Sequence, residues 1–427
     1  MKKSIKKLIS VIVATVAIGT MLTGCGGSKS STGSSKGDVT LTYAIWDKNQ
    51  EPGMRKIADA FEAKNPGIKV NVEVTAWDQY WTKLDAGATG GSLPDVFWMH
   101  PNQAARYASN SILMDLTDKI KSSKLVDLSK FSKDLVKIYE NDGKNYGMPK
   151  DFDTIGLWYN KTLFDEAGIA YPDETWTWDK LLEVSKKLTN SEKGIYGFGA
   201  PLDLQQGFDN FIYQNGGQVI SEDKTKSSLD TKEAKDAIQW YANLSLKDKV
   251  SPTNNQFSEV SYSAFFESGK TAMGLFGSWM LSEFGANEYV AKNCDVAVLP
   301  QGKQRATIIN GLANSVAAST SHKEEAWKFV EFLGSQEANQ IQAESGAAIP
   351  AYEGTADAWV NVSKKFNSKV YVDMLPYAHI NAYSKETEAW QNAEKAALIK
   401  GFTGEITVSD ACDDAAKKVN EILATEK

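Results

Sequence analysis

Cysteine and histidine are scarce, three of each in 427 residues. His100, His322 and His379 have no paired ligand spacing, and Cys294 and Cys412 are too few and too far apart for a disulfide framework or a zinc site. No metal or other cofactor is expected, and Cys294 and Cys412 are read as two buried thiols, with pairing in an oxidising setting left open. Clustered positive charge is also missing. Lys and Arg number 47 against 54 Asp and Glu, a net charge of −7 that becomes more negative without residues 1–24, which carry four lysines and no acid. An acidic body argues against nucleic acid and against broad adhesion to anionic lipid. Nucleotide fingerprints fail as well. Ser268-Gly269-Lys270-Thr271 ends like a phosphate loop, but Ala264 stands where the first glycine is required, and Gly197-Phe198-Gly199 does not continue to a third glycine. No repeat with a period of 20 to 50 residues occurs.

One long apolar run is present, residues 8–22, behind the basic Met1-Lys2-Lys3-Ser4-Ile5-Lys6-Lys7. At roughly 15 residues it is shorter than the ~20 that span a bilayer, so residues 1–24 read as a secretory signal peptide. Leu22-Thr23-Gly24-Cys25 resembles the lipobox of bacterial lipoproteins. That resemblance makes Cys25 the lipidated mature N-terminus and places the chain outside the cell, anchored to the outer face of the cell membrane. Residues 26–37 contain no apolar side chain and cannot offset their ordering entropy, so residues 25–37 read as a lipidated cysteine and flexible linker with a reach on the order of 20 Å.

The remaining chain, on the order of 390 residues, exceeds what one core normally organises and predicts two lobes. Residues 39–45 form a β-rich run, and Pro52 opens a helix with Ile57, Ala58 and Phe61 on one face that ends at Asn65-Pro66-Gly67. Residues 68–74 alternate as a strand, 77–86 read as a helix and 94–99 as the next strand, giving βαβαβ and a mostly parallel sheet. A looser repeat follows: residues 156–159 strand-like, 178–188 helical, 194–199 strand-like, 231–245 helical, then short strands at 271–276 and 296–300. From about Lys323 the chain is mostly helical.

Five fragments occur in the order seen in bacterial extracellular solute-binding proteins, and they resemble the maltose-binding-like group that serves sugar ABC importers. They are Phe61-Glu62-Ala63-Lys64-Asn65-Pro66-Gly67-Ile68-Lys69-Val70, Gly91-Ser92-Leu93-Pro94-Asp95-Val96, Tyr159-Asn160-Lys161-Thr162-Leu163-Phe164, Gly277-Ser278-Trp279 and Gly346-Ala347-Ala348-Ile349-Pro350. The resemblance implies an α/β, two-lobe periplasmic-binding-protein-like fold with a hinge and an inter-lobe cleft. The N-terminal lobe is expected from residues 38–150 plus 306–350, and the C-terminal lobe from 151–305 plus 351–427. Crossings are expected near residues 147–152, 301–307 and 349–352. It implies a monomer that binds a sugar or oligosaccharide, closes its hinge around it and delivers it to ABC permease subunits.

Sugars present flat C–H faces between rings of hydroxyls, so their sites pair aromatic faces with directed donors and acceptors. The chain holds 12 Trp. Trp46 and Asp47 end the first strand, and His100 and Asn102 end the third, where βα loops reach a cleft at the carboxyl ends of strands. Trp77 and Trp81 share a helix face at i, i+4, with Trp81 taken as the cleft residue. Asp151 is the expected bidentate hydroxyl acceptor at the hinge, with Asp153 as hinge or helix partner. Trp279 matches the family's cleft tryptophan, and Asn310 and Gly311 match its return strand beside the cleft. Gln205, Gln206 and Asp209 are polar candidates whose turn or capping roles compete, and Trp359 and Trp390 are candidates for the far end of a longer cleft. A glycoside hydrolase would also combine aromatics with carboxylates, but nothing in the sequence selects an acid and base pair. A peptide, polyamine or metal-chelate ligand stays open as the alternative within the binding class.

Overall fold

The computed structural model describes residues 38–362 and 364–426. The expectations for the signal peptide, Cys25 and the linker lie outside these residues. In chain order the strands are Val39–Ile45 (β1), Ile68–Val74 (β2), Val96–Met99 (β3), Glu140–Asn141 (β4), Lys144–Asn145 (β5), Met148–Pro149 (β6), Asp151–Asn160 (β7), Met273–Gly277 (β8), Cys294–Ala297 (β9), Thr307–Asn310 (β10), Ala313–Val316 (β11), Ile349–Pro350 (β12) and Ala378–Ile380 (β13).

The first sheet has the order β2-β1-β3-β11-β6. Tyr43 pairs in parallel with Val72 on one side and Val96 on the other, while β11 runs antiparallel to β3 and β6. Helix Glu51–Lys64 packs Met54, Ile57, Ala58 and Phe61 inward, the face its apolar spacing predicts. The second sheet is organised by β7, whose ten residues pair with β12 and β10 at its start and with β8 and β9 further on. It is therefore mostly antiparallel, with β10 and β13 the parallel pair.

Two hydrophobic cores result. One gathers buried residues from 41–148 and 312–338 together with Ala351; the other gathers them from 155–308, 343–349 and 359–423. Phe152 packs against both. The chain passes between lobes where β6 meets β7, where β10 meets β11, and over residues 339–358 around β12, where buried residues alternate between the cores. The second passage differs from expectation: it falls at residues 311–312 instead of 301–307. The run Thr307-Ile308-Ile309-Asn310 stays buried against β7, with Thr307 Oγ1 accepting from Ile155 N at 3.1 Å. Residues 194–199 form single bridges rather than a strand, because their amides divide between Lys270, Val250 and Met273 carbonyls. Trp359 and Trp390 are core residues of the second lobe, not cleft residues. Cys294 and Cys412 are separate buried thiols, and burial pushes each up to about 12.

The second core also buries carboxyls. Asp209 opens helix Asp209–Gln214, and Glu394 lies inside helix Thr387–Phe402. Both oxygens of Glu394 and Oδ1 of Asp209 lack a hydrogen-bond partner. Burial, then the charge of Asp203, pushes Asp209 from 3.8 up to about 8. Glu394 is likewise pushed up, by burial and then by Asp209, with Lys395 opposing. The folded chain therefore holds a proton that the unfolded chain releases above pH 4, so this group's contribution is fully present below about pH 4 and is lost as pH rises through about 8. In urea unfolding, Asp209→Asn should leave stability at pH 4 nearly unchanged and raise it at pH 8.5 by several kcal/mol, ~6 at most for a shift from 3.8 to about 8. An unchanged slope of stability against pH in that variant would remove Asp209 as its source.

Candidate functional site

A cavity of about 610 Å³ lies between the lobes, within the ~300–1,000 Å³ usual for small-molecule sites. Its first-lobe wall grows from the loops after β1 and β3. Where β1 stops, Asp47 folds the chain back: Oδ1 accepts from Asn49 N at 2.8 Å and Oδ2 from Gln50 Nε2 at 3.0 Å. This turn presents Trp46 to the cavity, with Trp98, Trp77 and Tyr80 edge-on around its ring at 5.0 to 5.1 Å.

Trp77 and Trp81 exchange their expected places. Trp77, 42% exposed, lines the cavity, while Trp81, 8% exposed, packs beneath Trp46 against Tyr80 and Tyr107. The i, i+4 spacing correctly puts both on one helix face. What it does not contain is direction: the first turn of helix Trp77–Gly90 meets the cavity, and the second lies under the loop.

His100 caps helix Pro101–Ser109, its Nδ1 accepting from Asn102 N at 3.2 Å. Burial lowers its pKa to about 3, so the ring is neutral and, with Nδ1 accepting, carries its proton on Nε2. Asn310 Nδ2 is placed 3.2 Å from Nε2 with Oδ1 left without a partner; turning the amide over gives Oδ1 the Nε2 proton in that tautomer. Asn310 and Gly311 are thus behind the wall rather than on it, against expectation. Asn310 is buried beside His100 at the end of β10, and a Cβ on Gly311 would come within 2.5 Å of the Asp151 carbonyl. They set the positions of His100 and Asp151, which do line the cavity together with Asn102.

Asp151 is held from two sides. Its Oδ2 lies 2.6 Å from Lys150 Nζ and its Oδ1 accepts from Leu312 N at 2.8 Å. Lys150 is 2% exposed, donates to Gln50 Oε1 at 2.9 Å and stands 4.1 Å over the Trp98 ring. Two residues on, Asp153 Oδ1 accepts from Gln205 Nε2 at 2.7 Å; burial, then the Asp151 charge, holds its carboxyl well above the usual range. The shift is towards the neutral acid, the form that donates as well as accepts.

The second-lobe wall comes from residues 202–206 and 278–283. The turn Leu204–Phe208 is broken at Gly207, and Asp203 Oδ1 fixes its start by accepting from Gln206 N at 2.7 Å. Gln206 Oε1 then accepts from Gly277 N at 3.2 Å. Trp279 follows, its ring so close to Gly277 that a Cβ there would come within 2.0 Å of it; any side chain at 277 displaces the ring. Helix Thr387–Phe402 adds Gln391 and Lys395, more than a hundred residues beyond Trp279.

The cavity therefore brings together Trp46, Asp47, His100, Asn102, Asp151 and Trp279, and leaves out Trp81, Asn310 and Gly311. Asp153, Gln205 and Gln206 join it, while Asp209 lies in the core behind them. Trp77, Gln50, Phe152, Leu312, Gln391 and Lys395 were not selected from sequence. For Trp77 a signal existed in its spacing; for Gln391 and Lys395, polar residues on a long helix, there was none. Among the described residues no group of three or more His, Cys, Asp or Glu is placed to hold a metal, and no helix is long and apolar enough to cross a membrane.

Lys150→Met should destabilise the fold by about 3–5 kcal/mol, since it leaves Asp151 buried without its counter-charge. Adding Asp151→Asn should recover part of that loss in urea unfolding. Equal stability of the single and double variants would show that the pair is not coupled.

Residues 47–340 match the family model of bacterial extracellular solute-binding proteins. The galactooligosaccharide-binding protein of Bacillus subtilis is 25% identical over 425 residues, covering 96% of each chain. Among solved structures, an ABC substrate-binding protein of Listeria monocytogenes in complex with cycloalternan has a TM-score of 0.84 and 28% identity, covering 91% of this chain and 99% of its own. An ABC transporter solute-binding protein of Thermotoga lettingae, bound with α-D-tagatose, has a TM-score of 0.78 and 26% identity over 90% of this chain and all of its own. With a family match across most of its length and a cavity enclosed between two α/β lobes, the chain belongs to the bacterial extracellular solute-binding proteins.

Proposed function

We propose that this protein captures a neutral sugar or oligosaccharide outside the cell and delivers it to an ABC permease by closing its lobes around it, without transforming it. The observation that carries this reading is the composition of one cavity. Trp279 on one lobe and Trp46 with Trp77 on the other supply flat apolar faces, and Asp151, Asp153, Gln205, Gln206 and Asn102 supply directed polar groups around them. Aromatic faces meet sugar C–H groups while carboxylates and amides take the hydroxyls. The sugar ligands named for relatives and solved structures of this fold agree with it.

Charge favours a neutral ligand over a polyamine. Lys150 matches Asp151, Asp153 and Asp203 are both pushed towards the neutral acid by burial, and among the lining residues Lys395 stands against Asp47 and Glu283, so the wall has no ring of unmatched carboxylates. A glycosidase pairing is disfavoured by the same facts. Asp151 is bound to Lys150 and Leu312 N rather than free to act as nucleophile or base beside Asp153. For the segment before the lobes, the sequence Leu22-Thr23-Gly24-Cys25 supports export and a lipid on Cys25, with residues 26–37 as slack between membrane and a monomeric binding body.

A thermal-shift screen against mono- and oligosaccharides, with peptides, polyamines and metal chelates as controls, tests the reading. A true ligand at a hundredfold excess over Kd should stabilise the fold by about 2.7 kcal/mol, a shift of a few degrees. Response to a control class alone would end the carbohydrate reading. In calorimetric titration with the responding sugar, Trp279→Ala should weaken binding at least tenfold, about 1.4 kcal/mol, with the fold intact. Unchanged affinity would take Trp279 out of the site.

A further inference from the structure

Beyond the chain crossings, the lobes also touch along the helices that follow His100 and residue 383. Helix Pro101–Ser109 belongs to the first core through Ala104, Tyr107 and Ala108, and helix Thr387–Phe402 to the second through Trp390, Ala397 and Leu398. Two hydrogen bonds join them. Asn102 Nδ2 donates to Gln391 Oε1 at 2.7 Å, and Gln103 Nε2 donates to Glu388 Oε2 at 2.6 Å. Residues 388 and 391 stand one turn apart on the same helix face, so the two bonds form one seam.

The Gln103 end of this seam is pre-set. Its Oε1 accepts from Arg106 Nε at 2.9 Å and from Arg106 Nη2 at 2.6 Å, and Arg106 Nη2 is itself held by Asp85 Oδ1 at 3.1 Å. With the amide oxygen taken, the amide nitrogen must face out of the first lobe, towards Glu388. The Arg106 contacts lie wholly within the first lobe and hold the Gln103 amide whether or not the lobes are together, whereas Glu388 is exposed and has water as its alternative partner. Beside the seam lies a second cavity of about 210 Å³ that shares Asn102 with the large one and is bounded by Arg106, Glu388 and Asn392. The seam thus closes one end of the cleft.

The geometry points to Gln103 and Glu388 as a closure latch, a pair of positioning residues that favours the closed lobes without touching ligand. The pair exists only when the two helices are adjacent, and neither residue lines the large cavity. Its contribution is therefore made in empty and loaded protein alike, and it sets how much of the binding energy goes into closing the hinge. A ligand's apparent affinity scales with the fraction of protein already in the competent form, so the latch tunes affinity for whatever the cleft accepts. That last consequence rests on the capture reading above; the latch itself does not. Asn102 and Gln391 line the cavity and cannot separate the two roles, so the test uses Gln103 and Glu388.

Small-angle X-ray scattering of the full chain, empty, tests it in Glu388→Ala, Gln103→Ala and the double variant. With Glu388 exposed to water, losing this hydrogen bond should lower the closed-to-open ratio by roughly threefold to tenfold, the range of an ordinary net hydrogen bond, read as an expanded scattering profile at unchanged Tm. Gln103→Ala should add nothing in the Glu388→Ala background, because the two act on one bond. Glu388→Ala, on the surface, keeps the test valid if Gln103→Ala fails to fold. Profiles identical to the parent in both Glu388→Ala and the double variant would overturn the latch. Expansion without any sugar response in the thermal screen would keep the latch and reject the carbohydrate reading.

Discussion

The buried pair of Lys150 and Asp151 is the constraint on which the rest of the molecule depends. Its side chains and backbone meet all three passages between the lobes. Lys150 N donates to Leu312 O at 2.8 Å, Leu312 N returns to Asp151 Oδ1, and Lys150 O accepts from Ala351 N at 3.1 Å and Gln342 Nε2 at 3.1 Å. Removing two charges from water is costly, and a pair so deep is not a source of stability in itself. What it contributes is register. The ammonium is satisfied by Asp151, Gln50 and the Trp98 face together, and no shifted pairing of these strands offers the same set. The same contacts aim Asp151 and Gln50 into the cavity, so the hinge and the binding wall are one structure.

From that pivot the two walls differ in kind. The first-lobe wall is an aromatic cluster, Trp46 wedged among Trp77, Tyr80 and Trp98, stiffened by edge contacts and by Trp98 Nε1 donating to Tyr43 OH at 2.7 Å. The second-lobe wall is a network of amides and acids, with Trp279 laid on Gly277 and the broken turn at residues 204–208 held by Asp203 and Asp153. A ligand that needs both walls gains its full contact set only when they approach. Differential contact of that kind is what allows a ligand to shift a hinge equilibrium. The rim seam between residues 102–103 and 388–391 then sets the balance point from which the shift begins.

Local pattern sufficed for much of this. The three strands and two helices at the start of the first lobe follow from alternation, a proline at a helix start and an Asn-Pro-Gly stop, and the loops after β1 and β3 reach the cavity as strand ends in open sheets generally do. Trp279 was reached through the family resemblance of Gly277-Ser278-Trp279 and not through local pattern, and it lines the cavity. What was not legible is long-range. Whether Trp77 or Trp81 meets the cavity depends on which helical turn faces the other lobe. Asn310 turned out to support His100, because the buried run from Thr307 carries β10 one strand's length further before crossing. Gln391 and Lys395 come from a helix whose own periodicity only shows that it is packed. Asp209 and Glu394 break the rule that buried acids are paired, and no local pattern announces that.

The most direct measurement is a crystal structure of the protein grown with the sugar that stabilises it most. The account predicts the sugar between Trp279 and the Trp46–Trp77 face, with hydroxyls on Asp151 and Asp153 and the Gln103–Glu388 bond intact. A sugar bound to one lobe only, or outside the cavity pinned by Lys150 and Asp151, would contradict it.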